Sequence, residues 1–374
     1  MSSALHSHAG LYKRPGPWVT VYTDASTGAG DSLHADDARP ELIAGALYRA
    51  GADKTDLKAV RVALTRSAKG LPDPVARFLL VNDGEVEFDE FLPGRLVMPQ
   101  VIDVGPVPNL VPLVHHRPEA FAYVVAEAGR DGGVIHLHHA HMGDDVSTEV
   151  EGSTENLKKI PGGGASQGGY LHRTENIWRA NAAELAGEID RVVRSCRARL
   201  LIIAGDIRAR NLVADQLSEA SKAILSVIES HTRTDGADRD AFARQVAERV
   251  AASIEAEQQR LLEKLESQLG RDHPESAVGL GAVVHALQRA QVETLLLERA
   301  AWDEQRLLAL AAEPWLSAST NETAGARLIG TITAPSALLR AAALTDANVV
   351  LFPPGALDPH RIAALLRWPN GSSV

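Results

Sequence analysis

Apolar and polar positions first alternate over residues 18–23 (WVTVYT), a run rich in β-branched side chains that predicts a strand. Residues 24–32 (DASTGAGDS) interrupt it with a small-residue loop, and residues 40–51 bring Leu42, Ile43, Ala46 and Leu47 at helical spacing. Strand patterns return over 75–104. There Asn82, Asp83 and Gly84 predict a tight hairpin turn, because such turns need residues that accept positive φ. The proline-rich stretch 105–118 reads as a stiff connector, and residues 1–14 as a loosely docked or disordered tail.

The next pair of apolar runs, 121–127 (FAYVVAE) and 133–139 (GVIHLHH), predicts a hairpin turning at 130–133. Over 174–199 Ile177, Leu185, Ile189, Val192 and Val193 recur at roughly helical spacing. Residues 199–204 (RLLIIA) are continuously apolar, as a parallel strand covered on both faces would be. A helix at 207–220 and a strand at 223–229 follow. The charged amphipathic stretch 238–269 predicts a helix of about nine turns, with Leu261, Leu262, Leu265 and Leu269 toward a core. Beyond residue 276, helix 280–290, strand 292–298, helix 335–344 and strand 347–352 predict a small α/β sandwich. The fold class is therefore mixed α/β (α+β), in three domains: 1–118, 119–273 and 274–374.

Composition adds limits. The 374 residues, 45% of them hydrophobic, exceed a single core, and no apolar run reaches the ~18 residues of a membrane span. The first residues lack the apolar core of a signal peptide. Cys196 is the sole cysteine, which excludes an internal disulfide framework and a Cys-rich zinc site. A cytoplasmic protein is expected.

Net charge is -10, yet residues 155–210 hold ten Lys/Arg against six Asp/Glu, a local surplus of four that leaves -14 elsewhere. A basic segment on an acidic body suits a protein presenting one face to RNA; a solvated helix face is the plainer alternative. Within that segment five glycines, a proline, Ser166 and Gln167 fall between Pro161 and Tyr170, which predicts no regular element. Lys158 and Lys159 precede the loop, and His172, Arg173 and Arg179 follow it. A small-residue loop between cations can lay its backbone against phosphates, or it can be a surface linker.

Three stretches together resemble the archaeal and eukaryotic class-1 release factor and Pelota superfamily, in its bacterial branch of Balon-like ribosome-hibernation factors. FAYVVAEAGRDGGVIHL is similar to the opening of the release factors' middle domain. LKKIPGGGASQGGYLHR sits where that family has a basic, glycine-rich loop leading into a long helix. GLGAVVHALQRAQVETLLLE, with Gly279 and Gly281, looks like the start of the C-terminal domain, and residues 18–104 match the N-terminal domain weakly. The resemblance implies a release-factor/Pelota-like protein of three domains, with the Gly-rich loop on the middle one and an α/β sandwich last.

It also implies a translation factor that occupies the A site of idle or stalled 70S ribosomes under stress, without chemistry or a cofactor of its own. Lys158, Lys159, Gly162, Gly163, Gly164, Gln167, Gly168, Gly169, His172, Arg173 and Arg179 would meet rRNA near the peptidyl-transferase centre. EF-Tu would be a partner of the C-terminal domain, and no membrane is involved. Release factors carry Gly-Gly-Gln at the tip; here Gly162, Gly163 and Gly164 run into Ala165, and Gln167 comes three residues after Gly164. Ester hydrolysis needs its donor held within a fraction of an ångström, which this displacement opposes. Peptidyl-tRNA hydrolysis through Gln167 is the alternative.

Other constellations have bland readings. His136, His138, His139 and His141, with Asp144 and Asp145, could hold a metal, but alternation with Ile135 and Leu137 fits a strand with one wet face. Asp24, near Asp31, Asp36 and Asp37, could belong to a two-metal nuclease or end a strand in a turn. Cys196, among Arg194, Arg197 and Arg199, could be reactive or buried and inert. Gly28 and Gly30 make no dinucleotide fingerprint, and G-x-x-x-x-G-K-[ST] is absent, so no bound nucleotide is expected.

Overall fold

The structure is a computed structural model that describes residues 5, 8–26, 32–117, 121–129, 131–140, 146–151, 167–229, 238–299 and 305–369, with backbone alone for 32–39, 146–151 and 167–175. These form two compact units, one of Met1–Glu119 with Arg260–Val374 and the other of Ala120–Gln259.

The first unit opens with β1 (Trp18–Asp24), α1 (Ser32–Arg49), α2 (Lys54–Leu64), β2 (Val75–Asn82), β3 (Glu85–Pro93), β4 (Val101–Gly105) and α3 (Val111–His116). The four strands make an antiparallel sheet in the order β3-β2-β1-β4. Only Asp24 of β1 is exposed, because both faces of the strand are covered. Val19 and Val21 meet Ile43, Leu47, Leu57 and Val60 of the two helices. Trp18 and Tyr22 face a core that also takes in Val283, Leu295, Leu338 and Leu351 from the far end of the chain. Asp83 (φ 52) and Gly84 (φ 76) form the predicted turn, with Asn82 paired to Glu85.

The second unit contains β5 (Ala122–Gly129), β6 (Gly132–His139), β7 (Val146–Glu151), α4 (Gln167–Cys196), β8 (Leu200–Gly205), α5 (Ile207–Gln216), α6 (Glu219–Lys222), β9 (Leu225–Val227) and most of α7 (Arg239–Glu266). Its sheet runs β7-β6-β5-β8-β9, parallel from β5 through β9 and antiparallel at β6 and β7. Helix α4 covers one face, and Phe242, Val246, Val250 and Ile254 of α7 cover the other.

The chain then returns to the first unit with β10 (Ser276–Val278), α8 (Leu280–Gln288), β11 (Val292–Glu298), β12 (Arg306–Leu310), β13 (Leu316–Ser317), β14 (Leu328–Thr333), α9 (Ala334–Leu344), β15 (Asn348–Phe352) and β16 (Ile362–Leu366). A mixed sheet orders β10-β16-β11-β15, with β11 parallel to β15, and a smaller antiparallel sheet orders β13-β12-β14. Arg340 of α9, 2% exposed, donates to the carbonyls of Trp315 (2.8 Å) and Leu310 (2.9 Å).

Several expectations need correction. Where it is described, the segment expected as a loosely docked or disordered tail packs firmly: Leu5 and Tyr12 are buried in the shared core. Helix α1 begins at Ser32 and runs through Pro40, forgoing the one bond a proline nitrogen cannot donate. Leu42 is 71% exposed, so only Ile43 and Leu47 of its group turn fully inward. The connector at 105–118 is packed structure, because Leu110, Val111, Leu113 and Val114 bury together as α3. Leu269 lies past the end of α7 and is 58% exposed, while Leu261, Leu262 and Leu265 do pack inward. The helix expected at 207–220 is two, divided where Asp190 accepts bonds from Ser218.

Candidate nucleic-acid interface

Of the basic loop, Lys158, Lys159, Gly162, Gly163 and Gly164 lie outside the described residues. What the structure describes are its two anchors. The loop leaves β7, an edge strand, at Glu151 and enters α4 at Gln167. Gln167, Gly168, Gly169, His172 and Arg173 therefore belong to the first turns of a 30-residue helix, contrary to the expectation of irregular chain up to Tyr170. Each glycine costs a helix about 1 kcal/mol relative to alanine, so local propensity predicts a later start. Tertiary packing outweighs it: Ala182, Leu185, Ala186, Ile189, Val192 and Val193 form a buried stripe against Val124, Ala126, Ile135, Leu201 and Ile203. Once that stripe anchors the helix, extension adds one bond per residue without a new nucleus.

Arg179 is exposed on α4 and engaged in an interaction. Farther along the same outer face, Arg191 pairs with Glu188 one turn back and Arg194 is exposed. Glu184, Glu188 and Asp190 balance Arg179, Arg191 and Arg194 along the part of α4 whose side chains are described, so that stretch is not cationic overall. Two glycines let the elements close on one another. A Cβ at Gly133 would stand 2.6 Å from Leu185 Cδ2, so α4 seats against β6 only over a bare backbone. Gly205 ends β8 at φ +113, and a Cβ there would lie 2.1 Å from the Ala128 carbonyl oxygen. The chain then turns at once into α5, whose first amides donate to the Asp206 carboxylate (Arg208 N, 3.0 Å; Ala209 N, 3.2 Å).

On the sheet face away from α4 stands a row of planar side chains that the sequence reading did not assemble. Arg199 lies over the Phe121 ring at 4.3 Å, and Phe121 is 6.2 Å from Tyr123. Tyr123 stacks on His138 at 5.0 Å with 18° between planes, and His136 follows at 5.9 Å. His136 Nε2 lies 3.3 Å from Glu127 Oε1, a carboxylate only 8% exposed. The antiparallel register carries the signal: Tyr123 is opposite His138, and Val125 opposite His136. The histidines thus occupy the strand with one polar face. Among the described residues no three of His, Cys, Asp and Glu converge as metal ligands; His141, Asp144 and Asp145 lie outside them.

Asp24 ends β1 and accepts from the Ser26 amide (2.9 Å) and hydroxyl (2.7 Å), the turn expected of it. Asp31 lies outside the described residues, and Asp36 and Asp37 fall within α1. Cys196 closes α4 half-buried, where burial pushes its thiol pKa up. No helix among the described residues is long and apolar enough to cross a membrane.

Residues 122–271 match the family described as bacterial archaeo-eukaryotic release factor family 2. The uncharacterized protein Rv2629 of Mycobacterium tuberculosis is 23% identical over 289 residues, 77% of this chain and 76% of that one. Among solved structures, Archaeoglobus fulgidus Pelota is 16% identical over 79% of each chain, with a TM-score of 0.33. Saccharomyces cerevisiae Dom34, a translation termination-like factor involved in RNA quality control, is 12% identical over 80% of this chain and 81% of that one, with a TM-score of 0.41. An archaeal Pelota described as ribosome-bound with ABCE1 is 16% identical over 98% of this chain and 95% of that one, with a TM-score of 0.43.

Proposed function

We propose that this chain, whose residues 122–271 match a bacterial release-factor family, is a ribosome-binding translation factor that fills the A site of idle or stalled ribosomes. The match of that segment to a release-factor family carries the reading. The position of the basic loop supports it, because the loop joins an edge strand to the N-terminal end of a helix anchored along six buried positions. A rigid rod with a glycine-rich, cationic end can be pushed into an RNA-walled cavity, and its Lys and Arg side chains would pair with phosphates regardless of base sequence. EF-Tu is the proposed partner for the C-terminal segment.

Occupancy without chemistry follows from the tip. Gln167 opens α4 and does not follow a glycine pair, a departure from the Gly-Gly-Gln of release factors that supports occupancy over hydrolysis. A map of the protein on purified 70S ribosomes tests the reading: density in the A site with residues 158–173 directed at the peptidyl-transferase centre is expected, and density elsewhere contradicts it. The second reading, hydrolytic rescue, is favoured by the seat of Gln167 at the start of a helix, where its backbone is placed by regular structure. Release of labelled peptide from stalled ribosomes, lost in Gln167→Ala, would decide for hydrolysis; no release by the unmodified protein decides against it.

A further inference from the structure

A cavity of about 100 Å³ lies in the first unit between the edge strand β4 with the turn after it and the β14–α9 junction. This is well above the ~10–15 Å³ that one water needs and well below the ~300–1,000 Å³ of drug-sized sites. A molecule of a few heavy atoms fits. Its polar lining comes from Asp103, Asn109, Arg306, Thr331, Thr333 and Ser336.

Two features of the α9 end call for an anionic group. The Thr333 side chain makes no capping bond, Pro335 has no N–H, and the Ala334 N–H is already given to the Gln305 carbonyl at 2.8 Å. The helix therefore opens into the cavity without a side-chain cap and with its positive end toward it. Ser336 is 4% exposed, and its hydroxyl forms no hydrogen bond to a described residue. With no partner among the described residues, this hydroxyl is left to whatever molecule the cavity holds. Arg306 stands across the ladder from Thr333 and, among the described residues, forms no ion pair.

The opposite wall carries the reverse charge. Asp103 Oδ2 lies 3.8 Å from the place a Cβ would take on Gly105, so the carboxylate lies along the cavity side of β4. Asp103 and Arg306 line one cavity without pairing. A phosphate dianion would meet repulsion from Asp103, and a simple carboxylate would leave that residue unanswered. A molecule with a carboxylate at one end and an ammonium at the other satisfies both walls.

We infer that this cavity binds a small free amino-acid zwitterion of the size of glycine, alanine or serine, its carboxylate at Ser336 and Arg306 and its ammonium at Asp103. The inference is independent of the ribosome reading, since it involves no residue of the basic loop.

Calorimetric titration of the full chain tests it with glycine, alanine and serine against acetate, ethylamine and inorganic phosphate. Saturable binding of a zwitterion, about tenfold or more tighter than acetate or ethylamine, is expected. Arg306→Ala should weaken alanine binding about tenfold, and Asp103→Asn should erase the preference for alanine over acetate. Both side chains are exposed, so neither change threatens the fold. No zwitterion binding, phosphate as the tightest ligand, or alanine binding unchanged in both variants would overturn the assignment. None of these outcomes bears on ribosome binding.

Discussion

The Tyr22 hydroxyl and Nδ1 of His116 lie 2.9 Å apart, joining β1 to α3 beneath the first sheet. Nε2 of the same ring is 2.8 Å from the Pro93 carbonyl oxygen, and the Val97 N–H donates to the Tyr22 oxygen at 3.0 Å. One neutral tautomer satisfies everything: Nε2–H donates to Pro93, and the tyrosine hydroxyl donates to Nδ1. Burial pushes the His116 pKa down; the Pro93 carbonyl opposes that, and the Arg117 charge adds to it.

Stability should therefore fall in mild acid. The unfolded ring protonates near 6.5 and the folded ring only at lower pH, so unfolding takes up protons between the two values. The contribution is full above about pH 6.5 and is lost as the pH falls from there through the folded value. His8, also lowered chiefly by burial, acts in the same direction. Thermal melts from pH 8 to pH 5 should show a declining midpoint, and His116→Gln should flatten that decline. An unchanged slope in the variant would remove His116 from the account.

Gly205 should tolerate no side chain. Its φ of +113 disfavours any L residue, and the Ala128 carbonyl occupies the space of a Cβ at 2.1 Å. Backbone strain and overpacking together predict a loss of about 3 kcal/mol or more for Gly205→Ala. Denaturant melts read it directly, and a loss below about 1 kcal/mol would show that β5 and β8 separate easily.

Arg340 holds the turn between β12 and β13 against α9. Its guanidinium holds two carbonyls, lies 5.6 Å from the Trp315 ring, and sits where burial lowers its own pKa; Tyr12 from the N-terminal segment offsets this by electrostatic attraction. Arg340→Met keeps the stem but removes the donor to the Leu310 carbonyl and leaves the Trp315 carbonyl with the Leu310 N–H at 2.9 Å, at a cost of about 2 kcal/mol. Equal stability in the methionine variant would mean that packing alone holds the β12–β13 turn to α9.

The fold is most legible from sequence where pattern and burial agree. Residues 200–205 are apolar throughout because neighbours cover both faces, residues 292–298 are buried at all positions but Glu293, and each appears as a strand within a residue of its predicted bounds. Asp83-Gly84 makes its turn through φ alone, a local property. The missed elements depend on distant partners. Ile362–Leu366 (IAALL) has no alternation and suits a helix as well as a strand, and it is a strand because β10 and β11 flank it. The same holds for Arg306–Leu310 between its two partners. Helix α2 goes unpredicted for a different reason: its signal is local, the Asp53 carboxylate that accepts the Asp56 amide at 2.8 Å, and it is passed over. At the candidate interface, the glycines read as loop while the stripe that extends α4 over them starts fifteen residues after Gln167, at Ala182. The Tyr123–His138 stack needed the hairpin register, which separate strands do not reveal.

The most direct test is co-sedimentation of the full chain with purified 70S ribosomes as salt is raised. The account predicts binding at low salt that weakens steeply with ionic strength, and a triple charge reversal at Lys158, Lys159 and Arg173 that lowers the slope of log affinity against log salt by about 2 to 3. No co-sedimentation at low salt, or a variant that binds with the same affinity and slope, would contradict it.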